Sequence, residues 1–210
     1  MAARLRQQMK KVLAIILMAT IAFGASAKFR WGPTVGLTVS DYLWKQKLVE
    51  TDQLCGFSAG VMGELMIPGI GFGIDMAVKY TMRGARVHFG DQKVWASQGM
   101  GNENLYFHTL QIPVNLRFKW TRMNGFENYL APIVFAGPLF NFNLDHSKCP
   151  VIENPAGSVG IQCGIGVELY KRYQITAGYL WGLTYDMRTI QLDNFSAQTN
   201  SWFVNLAVLF

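Results

Sequence analysis

The chain has 210 residues, of which 50% are hydrophobic and 15% charged. That charge content is well below the roughly one quarter usual in soluble domains. An aromatic content of 13% excludes a disordered chain, and 21 glycines without a three-residue period exclude a collagen-like fibre. The formal charge of +6 suggests an acidic partner, but the position of the charges removes that reading.

Residues 1–27 have three parts: a basic start with Arg4, Arg6, Lys10 and Lys11, an apolar run from Val12 to Phe23, and the small residues Ala25-Ser26-Ala27. This is the pattern of a cleaved export signal. The apolar run is shorter than the ~20 residues a membrane-spanning helix needs. Met9, just before Lys10-Lys11, is an alternative start, and no cysteine follows the cleavage point to carry a lipid anchor. The signal holds four of the 19 basic residues and none of the 13 acidic ones, so residues 28–210 carry +2. No basic excess remains for nucleic acid.

The remaining chain, 28–210, reads as one all-β domain. Pro33, Val35, Leu37 and Val39 alternate with Thr34, Gly36 and Thr38, the period of a strand with two unlike faces. The same period predicts strands at about 32–40, 55–67, 71–83, 104–119, 128–142, 158–169, 173–184 and 199–210. The segments between them alternate in length. Short turns at 68–70, 120–127 and 170–172 fall at one end of the sheet, and longer loops fall at the other. Pro68-Gly69 and Asn124-Gly125 carry turn chemistry, whereas Tyr170-Lys171-Arg172 has neither Gly nor Pro. Short turns at one end and long loops at the other are the asymmetry of outer-membrane barrels.

Charge separates the two faces. The alternating set containing Val35, Val61, Ile74, Ile112, Val134, Ile161, Ile175 and Val204 has no Asp, Glu, Lys or Arg, and His108 and Asn200 are its polar members. The opposite set carries Glu64, Asp75, Lys79, Arg83, Arg117, Lys119 and Glu168 together with many glycines. A sandwich would put its apolar face inward and would have to hide two sheet edges. A charge-free face with no second layer is covered most simply by lipid. Aromatic residues fall near both strand ends, as two interfacial belts would: Trp31, Phe72, Trp120, Tyr170 and Phe210 at one, Tyr42, Tyr80, Tyr106, Trp181 and Trp202 at the other. Two features fit less simply. The fifth strand is apolar on both faces, with Tyr129, Ala131, Ile133, Phe135 and Leu139 read as inner residues. Pro113, Pro132 and Pro138 interrupt strands, each expected to remove a ladder bond or mark a bulge.

The segments Leu110-Gln-Ile-Pro-Val-Asn-Leu-Arg-Phe-Lys119 and Tyr129-Leu-Ala-Pro-Ile-Val-Phe-Ala-Gly-Pro138 resemble strands of the PorT-like outer-membrane β-barrel family, as do residues 160–168 and 177–183. The resemblance implies an eight-stranded outer-membrane barrel of Bacteroidetes type, and its founding member is linked to the type IX secretion apparatus. It brings no catalytic residue with it.

The local constellations are read against their simplest explanations. Gly164-Ile-Gly-Val-Glu is a partial glycine fingerprint, but a strand continues through it where a dinucleotide site needs a helix. Asp145, His146 and Cys149 are metal-ligand types in one loop, short of the four paired ligands of a structural zinc site. Cys55 and Cys149 lie toward the long loops, where a bridge would need suitable spacing, and Cys163 reads as a small hydrophobe facing lipid. His108 on the apolar face would serve a lipid hydrolase only beside a serine, and residues 106 and 110 are Tyr and Leu.

The inner charges Glu64, Asp75, Lys79, Arg83, Arg117 and Glu168 are the most informative set. Counted back from Pro68, Glu64 and Asp75 face each other and need a cation between them, which Arg117 or Lys79 can supply. Eight strands leave a bore filled by side chains, so these charges are expected to plug the barrel rather than act on a substrate. The sequence therefore predicts an eight-stranded antiparallel up-and-down transmembrane barrel, monomeric and surrounded by outer-membrane lipid. It predicts no enzyme activity, cofactor or metal. Its role would be structural, surface-binding or envelope-assembling, through loops that meet a protein partner. The alternatives are a secretion-apparatus component, a lipid-modifying enzyme and a narrow pore.

Overall fold

A computed structural model of the protein describes residues 28–44, 51–67, 69–88, 102–146, 152–153, 157–185, 187–189 and 196–210. The export signal, Pro68, Lys93 and Cys149 lie outside them. Ten strands follow in chain order: β1 (Lys28–Trp44), β2 (Thr51–Met66), β3 (Phe72–His88), β4 (Asn102–Lys119), β5 (Leu130–His146), β6 (Ile152–Glu153), β7 (Gly157–Leu169), β8 (Tyr173–Gly182), β9 (Met187–Thr189) and β10 (Ser196–Val208). All pair antiparallel.

Eight of them close the barrel in the order β1-β2-β3-β4-β5-β7-β8-β10, and β10 pairs back onto β1 from Thr34↔Ala207 to Trp44↔Ala197. The seam extends to the last residue, where Trp31 and Phe210 exchange backbone hydrogen bonds of 3.3 and 2.9 Å. Closure leaves the wall without an edge, and that lets a sheet stand in lipid. The short β6 and β9 pair with each other and extend β10 at the long-loop end.

Most wall strands are longer than the period predicts, although β8 ends two residues short of its predicted end. β1 to β5 run 16 to 18 residues, against the ~9–11 needed to cross a bilayer. The extra length lies mostly at the long-loop end, so ladders replace much of the expected loop there. Polar residues such as Asn102, Glu103 and Asn104 break the alternation but still pair with His88, Val87 and Arg86. Asp145 and His146, expected in a loop, end β5 opposite His108 and Phe107.

The short turns follow their chemistry. Gly69 and Gly71 adopt φ of 83°. Asn124 (φ 54°) and Gly125 (φ 94°) do not form a two-residue hairpin. They lead into a 3-10 turn, Phe126–Asn128, within a longer connection. Tyr170 and Lys171 take φ of 51° and 56°, although neither is glycine, because the tight β7–β8 turn requires left-handed residues to match the strand twist.

The outward set is the lipid set. Ile165 is 67% exposed, and Val35, Val61, Ile74, Val204 and Leu206 are likewise exposed. Tyr129 departs from expectation. It is 64% exposed outside the barrel, and its ring packs edge-on against Tyr170, because β5 begins one residue after it. The other inner residues of β5 are buried: Ala131, Ile133, Phe135 and Leu139. Ile133 and Phe135 meet Phe203 of β10. Gly164 and Gly178 make room for this layer, since a Cβ there would lie 2.6 Å from the Phe135 ring and 2.7 Å from the Phe203 ring. The glycine fingerprint is therefore a packing feature of the wall. Pro113 and Pro138 leave the β4–β5 register unchanged but interrupt its pairing between Pro113↔Leu139 and Leu116↔Ala136. The β4–β5 bulge lies elsewhere, between His108 and Thr109.

Two outcomes check this account. Ile165→Arg places a cation near mid-bilayer and should cost about 2–4 kcal/mol in urea unfolding from lipid vesicles. Arg122→Glu, at an exposed turn position, should stay within about 0.5 kcal/mol. In the same turn Glu127 is held below its ordinary carboxylate range by its own backbone N–H and by those of Met123 and Gly125, which donate at 3.0 and 2.9 Å. That order is complete above the ordinary carboxylate range and is lost as pH falls through the lowered value. Protection of the Met123 and Gly125 amides from hydrogen exchange, relative to their intrinsic rates, should fall with pH in the same way.

Candidate functional site

The barrel interior is built in layers, and the most polar lies at the short-turn end. Pairing sets Arg30, Glu64, Asp75 and Asn115 in one row across β1 to β4. Partners in such a row share a face, so the pleat alone brings these side chains together. Glu64 is 0% exposed and receives three cations. Arg30 donates at 2.6 Å, Lys119 at 2.7 Å and Arg117 at 2.5 Å. Arg117 also donates through Nε to Asp75 at 2.7 Å. Glu168 accepts from Arg30 at 2.6 Å and from Lys119 at 2.7 Å. Three cations thus interlock with three carboxylates.

Amides complete the set. Gln174 Nε2 donates to Glu64 and Glu168 at 2.6 and 2.7 Å, and its Oε1 accepts from Arg117 at 2.7 Å. Asn115 Nδ2 donates to Asp75 at 2.7 Å and its oxygen accepts from Gln162 at 2.9 Å. Arg30 also donates to the Lys171 carbonyl at 2.6 Å, which ties the left-handed β7–β8 turn to the cluster. Such a network is worthwhile only when every member is satisfied, because an unpaired buried charge costs several kcal/mol.

Four of the six predicted residues meet here: Glu64, Asp75, Arg117 and Glu168. Lys79 and Arg83 do not, although both are buried on the same face. They lie four and eight residues beyond Asp75 along β3, roughly 13 and 26 Å at ~3.3 Å per residue. Arg117, not Lys79, bridges the Glu64–Asp75 pair. Sequence reasoning missed Arg30, Gln174 and the full role of Lys119. Arg30 shares the parity of Gly32 and Gly36, and carrying the alternation two residues further back would have placed it inside. Gln174 gave no signal beyond its parity.

Above the plug, Ile133, Phe135 and Phe203 form an apolar layer. Toward the long loops the interior is lined by hydroxyls and amides: Ser201 donates to Ser40 at 2.9 Å, Thr81 to Gln111 at 2.9 Å and Asn141 to Ser158 at 3.1 Å. On the outer wall, His108 Nδ1 and the Tyr80 hydroxyl share a hydrogen bond of 2.5 Å, and their rings stack. The group beside His108 is a phenol, and no serine hydrogen-bonds it among the described residues. No cluster of metal-ligand residues occurs among the described residues. Cys55 and Cys163 are free thiols.

Residues 18–185 match the model of the outer membrane protein beta-barrel domain. The chain belongs to that family. The match places the protein in the bacterial outer membrane, as its charge-free outer face requires. Among solved structures, the outer membrane protein OprG from Pseudomonas aeruginosa shares the fold at a TM-score of 0.57 and 9% identity, over 88% of this chain and 96% of that one. Neisserial surface protein A gives 0.47 and 14%, over 88% and 99%. Ail, the attachment invasion locus protein of Yersinia pestis, gives 0.46 and 13%, over 87% and 99%. No curated protein matches.

The cluster yields a direct test. Arg117→Met leaves Asp75 without its cation, while Glu64 keeps Arg30 and Lys119, and should cost about 3–5 kcal/mol. Pairing it with Asp75→Asn should recover part of that loss, and a double-mutant cycle by urea unfolding in vesicles reads the coupling.

Proposed function

We propose that this barrel is a non-enzymatic surface-binding or envelope-assembly protein that acts through its long-loop end. The plug carries the reading. Six interlocked charges and Gln174 cross the bore toward the short-turn end, which argues against a substrate chamber or an open water path there. The opposite end has length to spare, with strands well beyond membrane thickness and the β6–β9 ribbon added to β10. On this reading residues 1–27 are the cleaved export signal, the barrel is a monomer in outer-membrane lipid, and the loops meet a protein of the envelope or cell exterior.

The lengths of β4 and β5 that resemble the PorT-like family support an envelope-assembly role over simple adhesion, and a secretion-apparatus partner is its sharpest form. The Tyr80–His108 pair does not favour a lipid enzyme, because a phenol cannot replace the activated serine such chemistry needs. The test replaces segments 89–101 and 147–156 with short turns and follows crosslinked partners from outer membranes. The expected result is an intact barrel that loses its partner. A partner retained by both loop variants would move the binding surface to the wall or to the short-turn end.

A further inference from the structure

Beyond the plug, the interior charge no longer balances. Arg30, Arg117 and Lys119 meet Glu64, Asp75 and Glu168 one for one, and Lys79 adds a fourth cation on the same face. Lys79 is only 6% exposed. Its ammonium sits 5.6 Å from the centre of the Phe203 ring, and it reaches no ion pair or hydrogen bond among the described residues. Asp75 shares an interior cavity with it, but the two Asp75 oxygens already accept from Asn115 and Arg117. A buried cation needs a counter-charge or strong hydrogen bonding.

The cavity that Lys79 lines is about 40 Å³, with Asp75, Asn115 and Arg117 on its plug side and Thr34, Thr176, Asn205 and Phe203 around the rest. At ~10–15 Å³ per water-sized occupant, it admits a small ion or a few waters and no organic molecule. We propose that this cavity is a binding site for a small monovalent anion of the halide class, held by the Lys79 ammonium. The hydroxyls of Thr34 and Thr176 and the Asn205 amide are the further donors lining it, and the Phe203 ring excludes bulk water from one side. Of the buried carboxylates among the described residues, Asp75 lines the cavity and is paired with Arg117, while Glu64 and Glu168 sit toward the short-turn end.

The test uses the whole barrel. Crystals grown in sodium bromide are examined by anomalous scattering, and thermal unfolding in detergent is compared between chloride and the bulky anion gluconate at equal ionic strength. A bromide peak within ion-pair distance of Lys79 Nζ is expected. The unfolding midpoint should rise with the logarithm of chloride concentration and stay flat in gluconate, as selective binding to the folded state requires. Lys79→Met should abolish both effects. If that variant does not fold, the wild-type peak and salt comparison still decide. Water alone beside Lys79, equal midpoints in the two salts, or a bromide peak without any chloride effect in solution would each overturn the proposal.

Discussion

In lipid no backbone N–H or C=O can be left without a partner, and the rest of this structure depends on meeting that demand. A sheet meets it only by closing on itself. Here β1 meets β10, and the seam runs to the final residue. Closure with eight strands fixes the diameter, and the diameter leaves a bore that side chains fill. Two faces of opposite character follow directly. The outer face has no charge to desolvate in lipid, and the inner face gathers the charges and pairs six of them in the plug.

The plug follows from that confinement. Carboxylates removed from water need several donors each, and the pleat supplies them from different strands. Glu64 of β2 is met from β1, β4 and β8. The cluster therefore staples distant segments of the chain across the bore, and its members share partners so closely that no one of them acts alone. This arrangement contributes rigidity and blockage. On the proposed reading, recognition falls to the end where the strands outrun the membrane.

Much of this was legible in the sequence because a strand's period is fixed at two. Parity alone assigned Ile165 and Val204 to lipid and Glu64, Asp75, Arg117 and Glu168 to the interior. It also set Glu64 opposite Asp75, since the turn between them is short. Parity does not give height along the bore, so it could not separate Lys79 and Arg83 from the cluster. Strand ends were harder to place. Polar residues at the long-loop end carry no amphipathic signal where both faces meet water, so the ladders ran further than predicted. At the other end the clear alternation begins at Gly32, although β1 itself starts at Lys28 and so includes Arg30, and Tyr129 shares the inner parity of β5 but precedes its first residue. The Asn124-Gly125 pair announced left-handed residues correctly, but the helical turn after it depends on the Glu127 side chain closing back on Met123 and Gly125.

The account rests on the claim that the plug closes the bore and so leaves function to the long-loop end. Single-channel recording of the purified barrel in planar bilayers tests it most directly, with wild type and Arg117→Met measured beside their unfolding stabilities. The account predicts no steady conductance from the wild type, and a less stable Arg117→Met barrel that opens only transiently. A steady wild-type current, with an ion selectivity that Arg117→Met changes while stability stays the same, would contradict it.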